Sequence, residues 1–232
     1  MLRAIGFDLF ETLLQAKGDV ALCLKNIHQS LSENGINVPL GKFLETYSKV
    51  HEKNRIVRMN TGKEVSNRLE LSEILIQLDY SLKPDDPKIV EAVKAYFSGW
   101  TVTILEGVET TLQNLRERFK IGVITNFTDS KYIYDKLSEL NMWYIWDCIV
   151  VSVELGWRKT NPKIFNKFLQ LMTVRADEAL FVGDDVAADI FGAKAVGMKT
   201  ALRLKGKINR GENMVKPDFT VTSVKELIDL LD

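Results

Sequence analysis

Four short stretches carry the residues that can do chemistry. The run Arg3–Leu14 is apolar until it meets a single carboxylate, Asp8, with Thr12 just beyond. Thr125-Asn126 ends a second apolar run, Lys120–Thr125, and Gly183-Asp184-Asp185 ends a third, with Asp189 one turn further on. Lys159 stands in the loop Gly156-Trp157-Arg158-Lys159-Thr160-Asn161-Pro162, just ahead of a helix. A carboxylate such as Asp8 can be a nucleophile, a metal ligand or both, or it can simply cap the next helix. Clustered carboxylates repel one another unless a cation or a bound proton neutralises them. Hard oxygen ligands of this kind suit Mg²⁺, which keeps several waters and bridges to phosphate. In such a set Thr125 and Lys159 hold phosphoryl oxygens while Asp8 attacks.

These residues work together only if the fold brings the four stretches to one place. An unbroken apolar run of this length reads as a strand buried on both faces. From Thr103 onward such strands alternate with helical stripes: Val108/Leu112/Leu115/Phe119, Ile133/Leu137/Leu140, Phe165/Phe168/Leu169/Met172 and Val186/Ile190/Ala193. Further strands are expected at Cys148–Ser152, Thr200–Leu202 and Phe219–Val221, and Val224 to Leu231 close the chain as a helix. Alternation of this type gives an α/β fold with a Rossmann-like parallel sheet and helices on both faces. On a parallel sheet the C-terminal strand ends share one rim, where open α/β folds place their ligands. Asp8, Thr125 and Asp184 therefore meet there.

Between Lys17 and about Trp100 the pattern is helical throughout, with no strand signal. Val20/Leu24/Ile27/Leu31, Phe43/Tyr47/Val50, Leu71/Ile74/Leu75/Leu78 and Ile89/Val93/Phe97 mark four helices, and Pro84 and Pro87 break the chain before the last. Residues 1–15 and 101–232 are expected to form the α/β core, and residues 16–100 an inserted helical cap subdomain. The opening strand must then join the sheet across that insertion. Arg55 and Arg58 lie on a polar helix and read as a solvated face.

Composition excludes several function classes. The 232 residues carry 31 Lys+Arg against 31 Asp+Glu, so no bulk field favours nucleic acid or an anionic membrane. Hydrophobic content of 46% is ordinary for a soluble globular protein, and no apolar stretch is long enough to span a bilayer. Asp8 and Glu11 interrupt the only early apolar run, so no signal peptide is expected. Cys23 and Cys148 match no metal spacing, and a reducing cytoplasm is the expected location. The expected partner is a small-molecule substrate; a monomer and a homodimer are equally consistent with the sequence.

Taken together, the four stretches resemble the motifs of the haloacid dehalogenase-like hydrolases. The family's Asp-x-Asp-x-Thr corresponds to FDLFETL, its strand-ending Ser or Thr to Thr125 in VITNF, its lysine loop to GWRKTNP, and its Gly-Asp-x-x-x-x-Asp to GDDVAAD. The resemblance covers the whole chain. It implies a covalent intermediate on Asp8, with Thr125 binding the transferred group and Lys159 steadying nucleophile and intermediate. In the family's phosphatases it further implies Mg²⁺ held by Asp8, the backbone carbonyl of Phe10, and Asp184. Thr12 and Asn126 are expected to bind substrate, with Asp185 and Asp189 lying behind the ligands. Asp189 is expected to anchor the loop or Lys159, and Asp185 to be a helix-start carboxylate facing solvent.

One residue departs from the phosphatase pattern. Phe10 occupies the place of the second Asp, which protonates the leaving alkoxide and later activates water. General acid–base help of this kind is worth roughly 10²–10⁴ in rate, and Phe cannot supply it. The resemblance implies that dehalogenase members also lack the acid, because halide leaves as a stable anion. Against that reading stands Gly183-Asp184-Asp185, since dehalogenase relatives lose the metal-binding Asp there. The expectation is a Mg²⁺-dependent phosphatase acting on a small phosphorylated metabolite through an aspartyl-phosphate. The alternatives are a 2-haloacid dehalogenase and a catalytically quiet binding protein of the same fold.

Overall fold

Residues 4–7 are buried completely, and that alone makes them a central strand. In a computed structural model describing residues 1–204 and 215–231, β1 (Ala4–Phe7) pairs in parallel with two strands at once. Next come β2 (Leu14–Gly18) and four helices, α1 (Val20–Glu33), α2 (Leu40–Thr61), α3 (Asn67–Gln77) and α4 (Pro87–Phe97). They are followed by β3 (Trp100–Ile104), α5 (Val108–Arg116), β4 (Lys120–Thr125), α6 (Ser130–Glu139), β5 (Cys148–Val151), α7 (Ser152–Leu155) and α8 (Pro162–Met172). The chain closes with β6 (Ala179–Gly183), a π-helical turn Val186–Phe191 running into α9 (Gly192–Ala195), β7 (Lys199–Arg203), β8 (Phe219–Val221) and α10 (Leu227–Leu230).

Six strands form one parallel sheet in the order β5-β4-β1-β6-β7-β8. The α/β fold with a parallel sheet is thus as the alternation predicts. Side chains along β1 alternate between two cores. Ile5 and Phe7 face the cluster that includes Leu112, Leu115, Ile133 and Leu137, while Ala4 faces Phe165, Phe168 and Phe181. The helix starts have local causes. Asp19 accepts from the backbone N–H of Ala21 and Leu22, and Asp86 and Asn161 do the same for helices whose first residue is proline.

The structure corrects one expectation. The stretch read as wholly helical begins and ends in strand: β2 pairs antiparallel with β3, Leu14 opposite Ile104 and Gly18 opposite Trp100. This ribbon straddles the expected boundaries at 15/16 and 100/101. The sequence Leu14–Gly18 has no β-branched residue, so it carries no strand signal of its own. It is a strand because its partner, more than eighty residues away, supplies the hydrogen bonds. All four helices lie between the two strands, so the ribbon is their stem.

Candidate active site

Because β1 lies between β4 and β6, the residues just past all three strand ends crowd together. Asp8 follows β1 and is held by its backbone N–H, which donates to the Val182 carbonyl at 2.8 Å. Thr125 ends β4 at 1% exposure, and Asp184 follows Gly183 at the end of β6. Lys159 reaches in from the loop before α8. Its ammonium contacts Asp8 Oδ1 and lies 2.8 Å from Asp189 Oδ1. Only 3% of Lys159 is exposed, so this is a buried ion triad, the kind of arrangement that persists only when every charge is paired. The loop is fixed too, since Lys159 N–H donates to Asn126 Oδ1 at 2.7 Å.

Asp189 organises the rest. Its Oδ2 accepts the backbone N–H groups of Asp184 and Asp185, both at 3.0 Å, which folds the end of β6 back over the carboxylate. Gly183 is required for this closeness, because a Cβ there would lie 2.2 Å from Asp189 Oδ2. Asp185 is exposed and caps the following turn, accepting from Ala187 and Ala188. Thr12 is fully buried, and its hydroxyl donates to Asp184 Oδ1 at 3.3 Å. That contact orients Asp184.

Asp8, Asp184 and Asp189 each place a carboxylate oxygen within 4.8 Å of the others. Burial is the main force on Asp8 and pushes its carboxyl up to about 7; Lys159 opposes this, and the negative Asp189 and Asp184 reinforce it. Asp189 is raised by burial as well, with Lys159 again opposing. Burial acts to lower Lys159, but Asp189 and Asp8 outweigh it and hold the ammonium above its ordinary range. Three carboxylates against one ammonium leave an excess of negative charge in a dry site. A proton or a hard divalent cation relieves it, so the donor set fits Mg²⁺.

This yields a linkage prediction. Raised from 3.8 to about 7 in the folded state, Asp8 contributes stability that is present below about pH 4 and is lost as pH rises through about 7. Asp8→Asn cannot ionise. The melting temperature of the metal-free wild type relative to Asp8→Asn should therefore fall between pH 4 and 7, and saturating Mg²⁺ should flatten the difference. A difference that is already flat without metal contradicts the raised carboxyl.

The sequence signature of the haloacid dehalogenase-like hydrolases matches residues 7–202. The chain is a haloacid dehalogenase-like hydrolase. A glyceraldehyde 3-phosphate phosphatase of Methanocaldococcus jannaschii is 28% identical over 235 residues, spanning 100% of this chain and 97% of the relative. One from Pyrococcus abyssi is 32% identical over 211 residues, 89% of this chain and 83% of the relative. Among solved structures, a 2-haloacid dehalogenase from Pseudomonas syringae pv. Tomato DC3000 superposes with a TM-score of 0.73 at 24% identity, covering 100% of this chain and 98% of that one. A HAD phosphatase from Thermococcus onnurineus does so with 0.60 at 22%, covering 99% and 98%. These two superpositions establish the fold.

Phe10 of this hydrolase packs its ring into an aromatic cluster. It stacks on Phe127 (centroids 5.3 Å apart, 26° between planes) and meets Trp100 edge-on at 6.4 Å. Phe97 and Tyr132 extend the same aromatic cluster. Glu11, beside it, takes a left-handed backbone (φ 63°), and its carbonyl accepts from Arg203. A cavity of about 180 Å³ borders the cluster, lined by Tyr47, His51, Arg58, Glu70, Trp100 and Phe127 among others. None of Asp8, Thr125, Lys159 or Asp184 lines it; the Phe127 ring is the wall nearest Phe10.

Arg58 corrects a second expectation. Arg55 is solvated, at 50% exposure beside Glu52, but Arg58 is 11% exposed and paired with Glu70 at 3.0 Å and Glu64 at 3.3 Å. A polar helix stripe looks the same in sequence whether it meets water or buried carboxylates. Sequence reading also gave no role to Glu64 and Ser152, which lie outside every motif, or to Arg158, which stands beside Lys159 in the lysine loop.

Proposed function

We propose that this hydrolase is a Mg²⁺-dependent phosphatase acting on a small phosphorylated metabolite through an aspartyl-phosphate on Asp8. The observation that carries the reading is the Asp8–Lys159–Asp189 triad with Asp184 beside it. Such a nucleophile, with a second carboxylate directed to the same point, suits phosphoryl transfer, whereas halide displacement needs no second carboxylate. The full-length relatives that act on glyceraldehyde 3-phosphate support the substrate class. In this reading the helices α1–α4 are the cap that selects the substrate.

In the first step a carboxylate oxygen of Asp8 attacks phosphorus as the bond to the leaving oxygen breaks, and the electron pair departs with the leaving group. In the second, water attacks the phosphorus of the acyl phosphate, freeing Asp8 and inorganic phosphate. Lys159 holds the Asp8 carboxylate in place and balances charge on the transferred group, and Thr125 donates to a phosphoryl oxygen. Asp8, Asp184 and the Phe10 carbonyl would hold Mg²⁺, which when bound neutralises phosphoryl charge. Both Asp189 oxygens are already committed, to Lys159 and to two backbone amides, so Asp189 acts by orienting. A second reading, 2-haloacid dehalogenase, is favoured by Phe10 alone, because a halide needs no proton.

The test is turnover of aryl, acyl and alkyl phosphates and of 2-haloacids, each with Mg²⁺ and with chelator. Phosphate release that vanishes in chelator is expected; haloacid turnover in chelator would overturn the reading. Asp184→Ala should abolish the Mg²⁺ dependence together with most of the rate, about 10²-fold or more for loss of a metal position. Calorimetry on the same variant should show the Mg²⁺ heat lost.

A further inference from the structure

At one contact between the helical insertion and the α/β core, a fully buried carboxylate of the insertion is paired from the core side. The link between α2 and α3 lies along the loop that leads to Lys159. Lys63 bridges Trp157 in antiparallel fashion, Arg158 N–H donates to the Gly62 carbonyl at 2.8 Å, and Glu64 N–H donates to the Gly156 carbonyl at 3.0 Å. In the middle of this contact the Glu64 side chain is 0% exposed. Its two oxygens take Arg158 Nη1 at 2.9 and 2.8 Å, and Arg58 Nε lies 3.3 Å away. The Ser152 hydroxyl, also wholly buried, donates to Glu64 and accepts the Phe127 N–H at 2.9 Å.

Two of these contacts, those of Arg158 and Ser152, lead to the reacting centre. Arg158 directly precedes Lys159, whose ammonium contacts Asp8. Phe127 directly follows Asn126, which holds the Lys159 backbone, and Thr125 comes just before that. One carboxylate from the insertion therefore ties together the two core loops that carry Lys159 and Thr125. A fully buried carboxylate is costly to keep unless its charge is matched, and here two guanidinium groups and a hydroxyl match it.

We infer that Glu64 is a positioning residue: docking of the helical insertion sets the Lys159 and Thr125 loops through the Glu64–Arg158 and Glu64–Ser152 contacts, so the catalytic constellation is complete only when the insertion is docked. This rests on Asp8 and Lys159 being the reacting centre. A displacement of about 1 Å in such a group can cost around a hundredfold in rate. Rate should suffer rather than binding, because Lys159 matters most to the charge that develops during transfer.

Glu64→Gln keeps shape and the acceptor for Ser152 but removes the charge. The fold should survive, since Arg58 retains Glu70 and Arg158, already 28% exposed, can turn to water. With acetyl phosphate and p-nitrophenyl phosphate, which offer the insertion little to grip, kcat should fall tenfold to a hundredfold while KM stays within about threefold. Arg158→Gln should reproduce the loss, and the double variant should lose no more than either single one. Arg68→Ala, which cuts the separate Arg68–Asp129 link (3.2 Å) between insertion and core, should leave kcat within twofold. Additive losses, an effect on KM alone, unchanged kcat, or an equal loss in Arg68→Ala would each overturn the inference. If Glu64→Gln does not fold, Arg158→Gln and Arg68→Ala decide it. Asp8→Asn assayed alongside separates the two readings: activity there undoes the reacting centre, while an inactive Asp8→Asn with an unimpaired Glu64→Gln undoes only the positioning role.

Discussion

Asp8→Asn should abolish turnover of every substrate while leaving the protein folded. Asn matches Asp in shape, and Lys159 keeps its 2.8 Å partner Asp189, so no charge is stranded by the change. Removing a carboxylate whose burial is already unfavourable should hold the melting temperature or raise it at neutral pH. Loss of a nucleophile costs several orders of magnitude, so residual activity above about a hundredth would assign the chemistry to another group. A second measurement needs no substrate. Beryllofluoride with Mg²⁺ imitates an acyl phosphate and should raise the melting temperature of the wild type by linkage, but not that of Asp8→Asn.

The second large effect comes from Phe10. With no proton donor at this position, rate should follow the leaving group's own pKa. Acyl and aryl phosphates, which leave as fairly stable anions, should turn over; simple alkyl phosphates should turn over poorly. Phe10→Asp should raise alkyl phosphate turnover by up to roughly 10²–10⁴ and change acyl phosphate turnover much less. Stability moves the other way. The substitution removes a ring stacked on Phe127 at 5.3 Å and adds a carboxylate two residues along the chain from Asp8. Complete burial of a Phe is worth about 3–5 kcal/mol on truncation, and half-buried Phe10 should cost a fraction of that. Mg²⁺ should restore part of the loss by offsetting the repulsion. If the wild type hydrolyses alkyl phosphates as fast as aryl ones with chemistry rate-limiting, another group delivers the proton and this account of Phe10 is wrong.

The sequence by itself determined which residues meet at one rim of the sheet. Ala4–Phe7, Lys120–Thr125 and Ala179–Gly183 are apolar on both faces, which only a central parallel strand satisfies. Each ends in a polar residue, so one rim had to collect Asp8, Thr125 and Asp184. Lys159, ahead of a helix whose start Asn161 and Pro162 announce, belonged to the same rim. These are local facts, set by periodicity and by which residue types tolerate a strand end.

Only the tertiary structure decided how those residues share their charges. That Lys159 bridges Asp8 and Asp189, that Thr12 serves Asp184, and that burial lifts Asp8 toward neutrality all depend on segments far apart in the chain. Burial and long-range pairing leave no mark on local spacing. The same reason hid strand β2, which has little propensity of its own and depends on distant β3, and the burial of Arg58 on a helix that reads as solvated. It also hid Glu64, one glutamate among many in sequence, which the fold encloses completely between two arginines and a serine because the insertion meets the core at that point.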